Sequence, residues 1–200
     1  MNKMSLMFIV CCLLLGCLSC RQPAGEGAGG GVGVVPGVDL GSGWRQQLDR
    51  ELPLLGHRNW ILVVDKAFPM QTSPGMEVIN TDERLLTVLR YTLQKINEST
   101  HVKPIIYTDK EIGYITESQS PGVGAYKSQL KDVLGNAGVQ SLLHDSVFVR
   151  MDASSKLFKI LVLKTNETLA YSSVFLQLDC AYWNAEKEGH LREAMKSAAR

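Results

Sequence analysis

Trp60-Ile61-Leu62-Val63-Val64 is an unbroken apolar run, closed by Asp65-Lys66-Ala67-Phe68-Pro69. A strand with one wet face alternates apolar and polar residues. A strand covered on both faces does not, so this run reads as the interior of a sheet sandwiched between helices. Upstream, residues 44–55 place Trp44, Leu48, Leu52 and Leu55 on one helical face, with Pro53 disturbing the last turn and Gly56 as the stop. Downstream, residues 81–97 read as a helix capped by Thr81, with Leu85, Leu86, Leu89, Leu93 and Ile96 as its buried stripe. Further on, strands are expected at 103–108, 139–143, 157–163 and 173–178. Helices are expected at 121–134, closed by Gly135, and at 184–198, while 146–156 is ambiguous and leans towards helix. Strands alternating with helices imply an α/β domain of three layers, a largely parallel sheet flanked by helices.

The N-terminal stretch has a different character. Met1-Asn2-Lys3 is followed by an apolar run from Leu6 to Leu15, too short for a bilayer, which needs about 20 apolar residues. Its length and flanks suit a secretory signal peptide over residues 1–16. Leu14-Leu15-Gly16-Cys17 resembles the lipobox of bacterial lipoproteins, which makes Cys17 the expected lipidation site and Cys20 a weaker second candidate. Residues 17–43 are then a Gly-rich tether. Their composition cannot bury enough apolar surface to fold. The expected location is a bacterial cell envelope, periplasmic or cell-surface, with the membrane reached through the lipid. Mass spectrometry of the mature N-terminus checks this. A chain that starts beyond Cys20 without acylation would refute it.

The same reading accounts for the cysteines. Four of the five lie in or beside the export segment, and only Cys180 remains in the domain body, so its core must hold it together. Gly25-Glu26-Gly27-Ala28-Gly29-Gly30 matches a dinucleotide-binding glycine pattern. It follows no strand and opens no helix, so that reading fails. Formal net charge is +1 with acidic and basic residues interspersed, which argues against nucleic acid as a partner. His101 and His190 have no partners at metal-ligand spacing, so no metal site is expected. Residues 44–200 suffice for one domain that buries roughly 70% of its unfolded surface.

Polar groups gather at three strand ends, where α/β domains place their sites. These are Gly56-His57-Arg58-Asn59, then Asp65 to Pro69, then Lys164 to Ser173 between the last two strands. Leu55-Gly56-His57, an apolar strand, Asp65 eight residues after His57, and Phe68-Pro69 resemble the opening signature of the ribose pyranase and fucose mutarotase family (RbsD/FucU). Thr165-Asn166-Glu167-Thr168-Leu169-Ala170-Tyr171-Ser172-Ser173 is similar to that family's T-G-E-x-x-x-Y-x-N segment, with Asn166 at its Gly and Ser173 at its Asn. The two motifs stand in the family's order within residues 48–180.

The resemblance implies an isomerase that interconverts cyclic forms of a free monosaccharide, ribose, fucose or similar, without cofactor or metal. Carried over, His57 is the acid catalyst, and Asp65, Tyr171, Ser172 and Ser173 bind the sugar. The family also has a basic or imidazole side chain one element before the Tyr strand. That position falls near Val147, and either His144 or Arg150 is its substitute here. Imidazole suits the chemistry, because it gives or takes a proton near neutral pH. An extended strand rises about 3.3 Å per residue, which sets His57 and Asp65 roughly 25 Å apart in one chain. Either the strand ends bend, or each site takes one residue from each of two chains, and the resemblance to a family of ring-shaped homo-oligomers implies the second. Two alternatives stay open: a non-catalytic sugar-binding lipoprotein with the same fold, and a scaffold lipoprotein whose polar strand ends are only turns.

Overall fold

The computed structural model describes residues 43–198. The expected signal segment, Cys17, Cys20 and the tether up to residue 42 lie outside them. In chain order the elements are α1 (Gly43–Glu51), a 3-10 turn (Leu52–Leu54), β1 (Trp60–Val64), β2 (Met76–Asn80), α2 (Leu85–Glu98) and β3 (Val102–Asp109). There follow a 3-10 turn (Lys110–Tyr114), α3 (Val123–Leu134), β4 (Val139–Leu142), α4 (His144–Ser155), β5 (Ile160–Lys164), β6 (Val174–Cys180) and α5 (Ala185–Ala198). Among the described residues no helix is long and apolar enough to cross a membrane.

The strands form one six-stranded sheet in the order β2-β5-β1-β6-β3-β4. The pairs β1–β5, β2–β5 and β3–β4 are parallel, while β6 runs antiparallel to both β1 and β3. β1 is the apolar run, and all five of its residues are buried. Its side chains alternate between two cores. Ile61 and Val63 join Trp44 and Leu48 of α1, Leu85 and Leu89 of α2, and residues of α3. Trp60, Leu62 and Val64 join Phe68 and α4 through Val147 and Met151. This is the expected three-layer α/β arrangement, and each fully buried aliphatic side chain stabilises it by about 1.5–3 kcal/mol.

Two local expectations are corrected. Pro53 closes the first helix earlier, so that residues 52–54 wind as a 3-10 turn. Thr81 is not the cap of α2, which starts at Leu85 after Arg84. Thr81 is buried, and its hydroxyl donates to the Lys164 carbonyl (3.0 Å), tying β2 to β5. The ambiguous segment is helical as α4. Gly75 lets the end of that helix close onto β2, because a Cβ there would collide with the carbonyl oxygens of Ser155 and Phe158.

Candidate functional site

The five mutually parallel strands end at one edge of the sheet, and antiparallel β6 begins there. This edge collects Asp65 after β1, Asp109 at the end of β3, His144 just after β4, and Tyr171, Ser172 and Ser173 before β6. It is the carboxyl edge, where open α/β sheets hold ligands.

Asp65 is held from several sides. Its backbone N–H donates to Ser173 Oγ (3.1 Å), and Ser173 Oγ donates to Asp65 Oδ2 (2.8 Å). Asp65 Oδ1 accepts from the Ala67 N–H (2.8 Å). The turn that follows is pinned by Lys164 Nζ on the Phe68 carbonyl (2.8 Å) and by the Lys66 N–H on the Glu167 carbonyl (2.7 Å). Thus the two motifs meet: residues 65 and 173 share hydrogen bonds across 108 residues of sequence.

The stretch 165–173 is equally fixed. Thr165 Oγ1 donates to the Val64 carbonyl (2.7 Å). Glu167 Oε1 accepts from the N–H groups of Thr168 (2.9 Å) and Leu169 (3.2 Å). Tyr171 takes a left-handed backbone (φ 57°), uncommon for a bulky residue, and its side chain stays partly exposed. Ser172 is buried. Its hydroxyl donates to the Leu169 carbonyl (2.7 Å), and its own carbonyl accepts from Tyr126 (2.6 Å). Burial pushes the Tyr126 phenol well above its ordinary range, so it stays a donor. Both serines therefore spend their hydroxyls inside the chain. They shape the loop, and Tyr171 is the member of this trio that faces outward.

Of the two candidates for the extra basic group, the structure brings His144 to this edge. Its Nδ1 lies 3.1 Å from Asp109 Oδ1. Its ring meets Phe148 (4.8 Å between centroids) and Tyr171 (5.2 Å, perpendicular). Both oxygens of Glu111 accept from the His144 backbone N–H (3.1 and 3.2 Å). Arg150 instead lies over the Tyr107 ring (5.4 Å), and Val147 is fully buried.

Asp109 and Glu111 were not singled out from the sequence. A signal existed: Ile106-Tyr107-Thr108-Asp109 repeats the pattern of Val63-Val64-Asp65, a buried strand that ends in a carboxylate. Asp109 is fully buried, and neither of its oxygens has a well-aligned hydrogen bond. Burial pushes its carboxyl up to about 6. His144 pulls the other way, while Glu111 and Asp65 add to the rise.

His57 is at the opposite edge, before β1. Its Nδ1 faces Asp179 Oδ1 (3.0 Å), its Nε2 accepts from Arg58 Nε (3.2 Å), and its side chain is 54% exposed. Within one chain it does not join Asp65. A cleft of about 750 Å³ opens beside it, lined by Arg58, Asp179, Cys180, Tyr182 and Trp183. Among the described residues no cluster of His, Cys, Asp and Glu could hold a metal ion.

No family model and no curated protein matches the sequence. Solved structures do resemble it. RbsD of Bacillus subtilis complexed with D-ribose is 17% identical with a TM-score of 0.45, covering 66% of this chain and 89% of that one. FucU of Bifidobacterium longum is 18% identical with a TM-score of 0.45, covering 66% and 92%. The fucose mutarotase of Streptococcus pneumoniae in complex with L-fucose is 18% identical, again with a TM-score of 0.45, covering 70% and 93%.

Proposed function

We propose that this chain is a cofactor-independent monosaccharide mutarotase or pyranase, with its sugar at the carboxyl edge of the sheet. The observation that carries the reading is the Ser173–Asp65 hydrogen bond (2.8 Å), which joins the two motif segments in one place. Asp65 accepts from sugar hydroxyls, and Tyr171 offers a ring face. Imidazole moves the protons. The anomeric hydroxyl gives its proton to a base as the bond between anomeric carbon and ring oxygen breaks. The electron pair goes to the ring oxygen, which takes a proton from an acid, leaving an open-chain carbonyl. Closure on the other face or by another hydroxyl reverses the steps. His144 is the base supplied by the same chain.

His57 is the acid supplied by a second copy. Its exposed edge, with Tyr182 and Trp183 beside it, docks against the carboxyl edge of a neighbour in a closed homo-oligomer. Docking displaces Arg58 from His57 Nε2. By the same proposal Cys17 anchors the assembly to the cell envelope.

Exchange spectroscopy on ribose, fucose, galactose and glucose tests the activity, and light scattering on the soluble chain tests the assembly. The expected result is exchange above buffer for at least one sugar by a closed oligomer. A monomer that turns over sugar removes the composite site. No exchange, with sugar still raising the melting temperature, makes the chain a binding protein.

A further inference from the structure

We propose that Asp109 is a positioning residue, whose carboxylate fixes the proton of neutral His144 on Nδ1 and leaves Nε2 as the free base. The kinetic consequence rests on the mutarotase reading. The tautomer does not.

His144 has little freedom to move. Glu111 clamps its backbone N–H with both carboxylate oxygens at the first turn of α4. Phe148 and Tyr171 wall its ring on two sides. Nδ1 is buried against Asp109, whereas a third of the side chain is exposed, so the open edge is the one away from Nδ1. That edge carries Nε2. A neutral imidazole with its proton on Nε2 would aim the Nδ1 lone pair at a buried carboxylate 3.1 Å away. In a site of low dielectric that repulsion is severe. With the proton on Nδ1 the same contact becomes attractive. This is the general way in which a partner at one ring nitrogen decides the role of the other.

The oddity of Asp109 itself supports this. A fully buried carboxylate normally collects several aligned donors, and its lack of them calls for a reason. Salt-bridging for stability is a weak one, because burying a pair costs about as much as it returns. Orienting a base is a better one. Three ionisable groups face Asp109: His144 from α4, Glu111 from the 3-10 turn and Asp65 from the end of β1. The two carboxylates oppose its ionisation, so the device works best above the range in which Asp109 gives up its proton.

The test is imidazole nitrogen NMR on the full chain at about pH 8, where histidine is mostly neutral. His144→Gln assigns the signal among the four histidines. The parent should show His144 protonated on Nδ1, and Asp109→Asn should shift it towards the Nε2-protonated form. In the same variant sugar exchange should fall by at least about tenfold, and the pH profile should change shape. Nε2 protonation in the parent, or an unchanged tautomer in a folded Asp109→Asn, overturns the proposal. The parent spectrum decides alone if that variant does not fold. If the parent exchanges no sugar, the mutarotase reading fails while the tautomer still decides the role of Asp109.

Discussion

His57→Ala and His144→Ala should each slow sugar exchange by about 10²–10⁴-fold, the usual range for a positioned proton-transfer group. His57→Ala should not greatly disturb the fold. His57 is exposed, and its pairing with Asp179 lies at the surface, where ion pairs contribute at most about 1 kcal/mol. His144→Ala should also cost stability, because it leaves the buried Asp109 without the imidazole that faces it, so its rate is read beside its melting curve. The two variants differ in a further respect. If His57 serves a neighbouring site, a mixture of His57→Ala with Asp65→Asn should regain activity that neither has alone. Some interfaces then pair the intact His57 of one chain with the intact Asp65 of the other. With free subunit exchange they are roughly a quarter of all interfaces. A mixture of His144→Ala with Asp65→Asn should regain much less, because both losses fall in one chain's site. The measurement is exchange by NMR after co-refolding, beside a melting curve for each protein. No recovery in the first mixture would remove His57 from the site. His144 would then be the imidazole that the carboxyl edge itself offers for the chemistry.

The elements with the strongest one-dimensional signal were the ones legible in the sequence. β1 and β5 are apolar runs buried on both faces, β3 and β6 carry such a run over part of their length, and such runs announce themselves. β2 was not seen. Met76-Glu77-Val78-Ile79-Asn80 has only Ile79 buried, because it is an edge strand with little apolar demand on its other positions. The reversal of β6 was also missed, although the chain length held the clue. The connection between Lys164 and Val174 spans residues 165–173, too few for the crossover of a dozen or more residues that a parallel return needs. A strand reached that quickly runs back the way the chain came.

Two short motif segments pointed to one edge of the sheet, and the chain brings both of them there. Asp65 and Tyr171 stand where two short segments pointed. Asp109 and Glu111 escaped because their meaning depends on what lies across the sheet. An aspartate at the end of a strand is usually a turn former. Only the parallel pairing of β3 with β4, which sets Asp109 beside Leu142, brings His144 against it. Likewise the motif names Ser172 and Ser173 as sugar contacts but does not show that both are buried with their hydroxyls bonded within the chain. Which residues stand at the strand ends was visible in the chain, whereas what braces them needed the neighbours.

Asp109→Asn should make the protein more stable at neutral and alkaline pH, against the usual effect of altering a buried polar residue. The folded state holds the Asp109 proton more tightly than the unfolded chain does, because burial raises its carboxyl from the ordinary 3.8 to about 6. The stability from that proton is fully present below the unfolded value and is lost as pH rises through the folded one. Asparagine has nothing to ionise, so it escapes the loss. The variant should match the parent near pH 4 and exceed it above about pH 6 by on the order of 1–3 kcal/mol, at about 1.4 kcal/mol for each tenfold gain in proton affinity. For a domain of this size that raises the melting midpoint by several degrees. The attraction of His144 is already set against burial in that direction. Melting curves of parent and variant from pH 4 to pH 8 measure the difference. A variant less stable than the parent at pH 8 would show that the contact with His144 outweighs the cost of burial, and Asp109 would then be a structural ion pair. A gain in stability together with a loss of exchange is the opposite signature. It marks a buried charge that the fold tolerates because the site uses it.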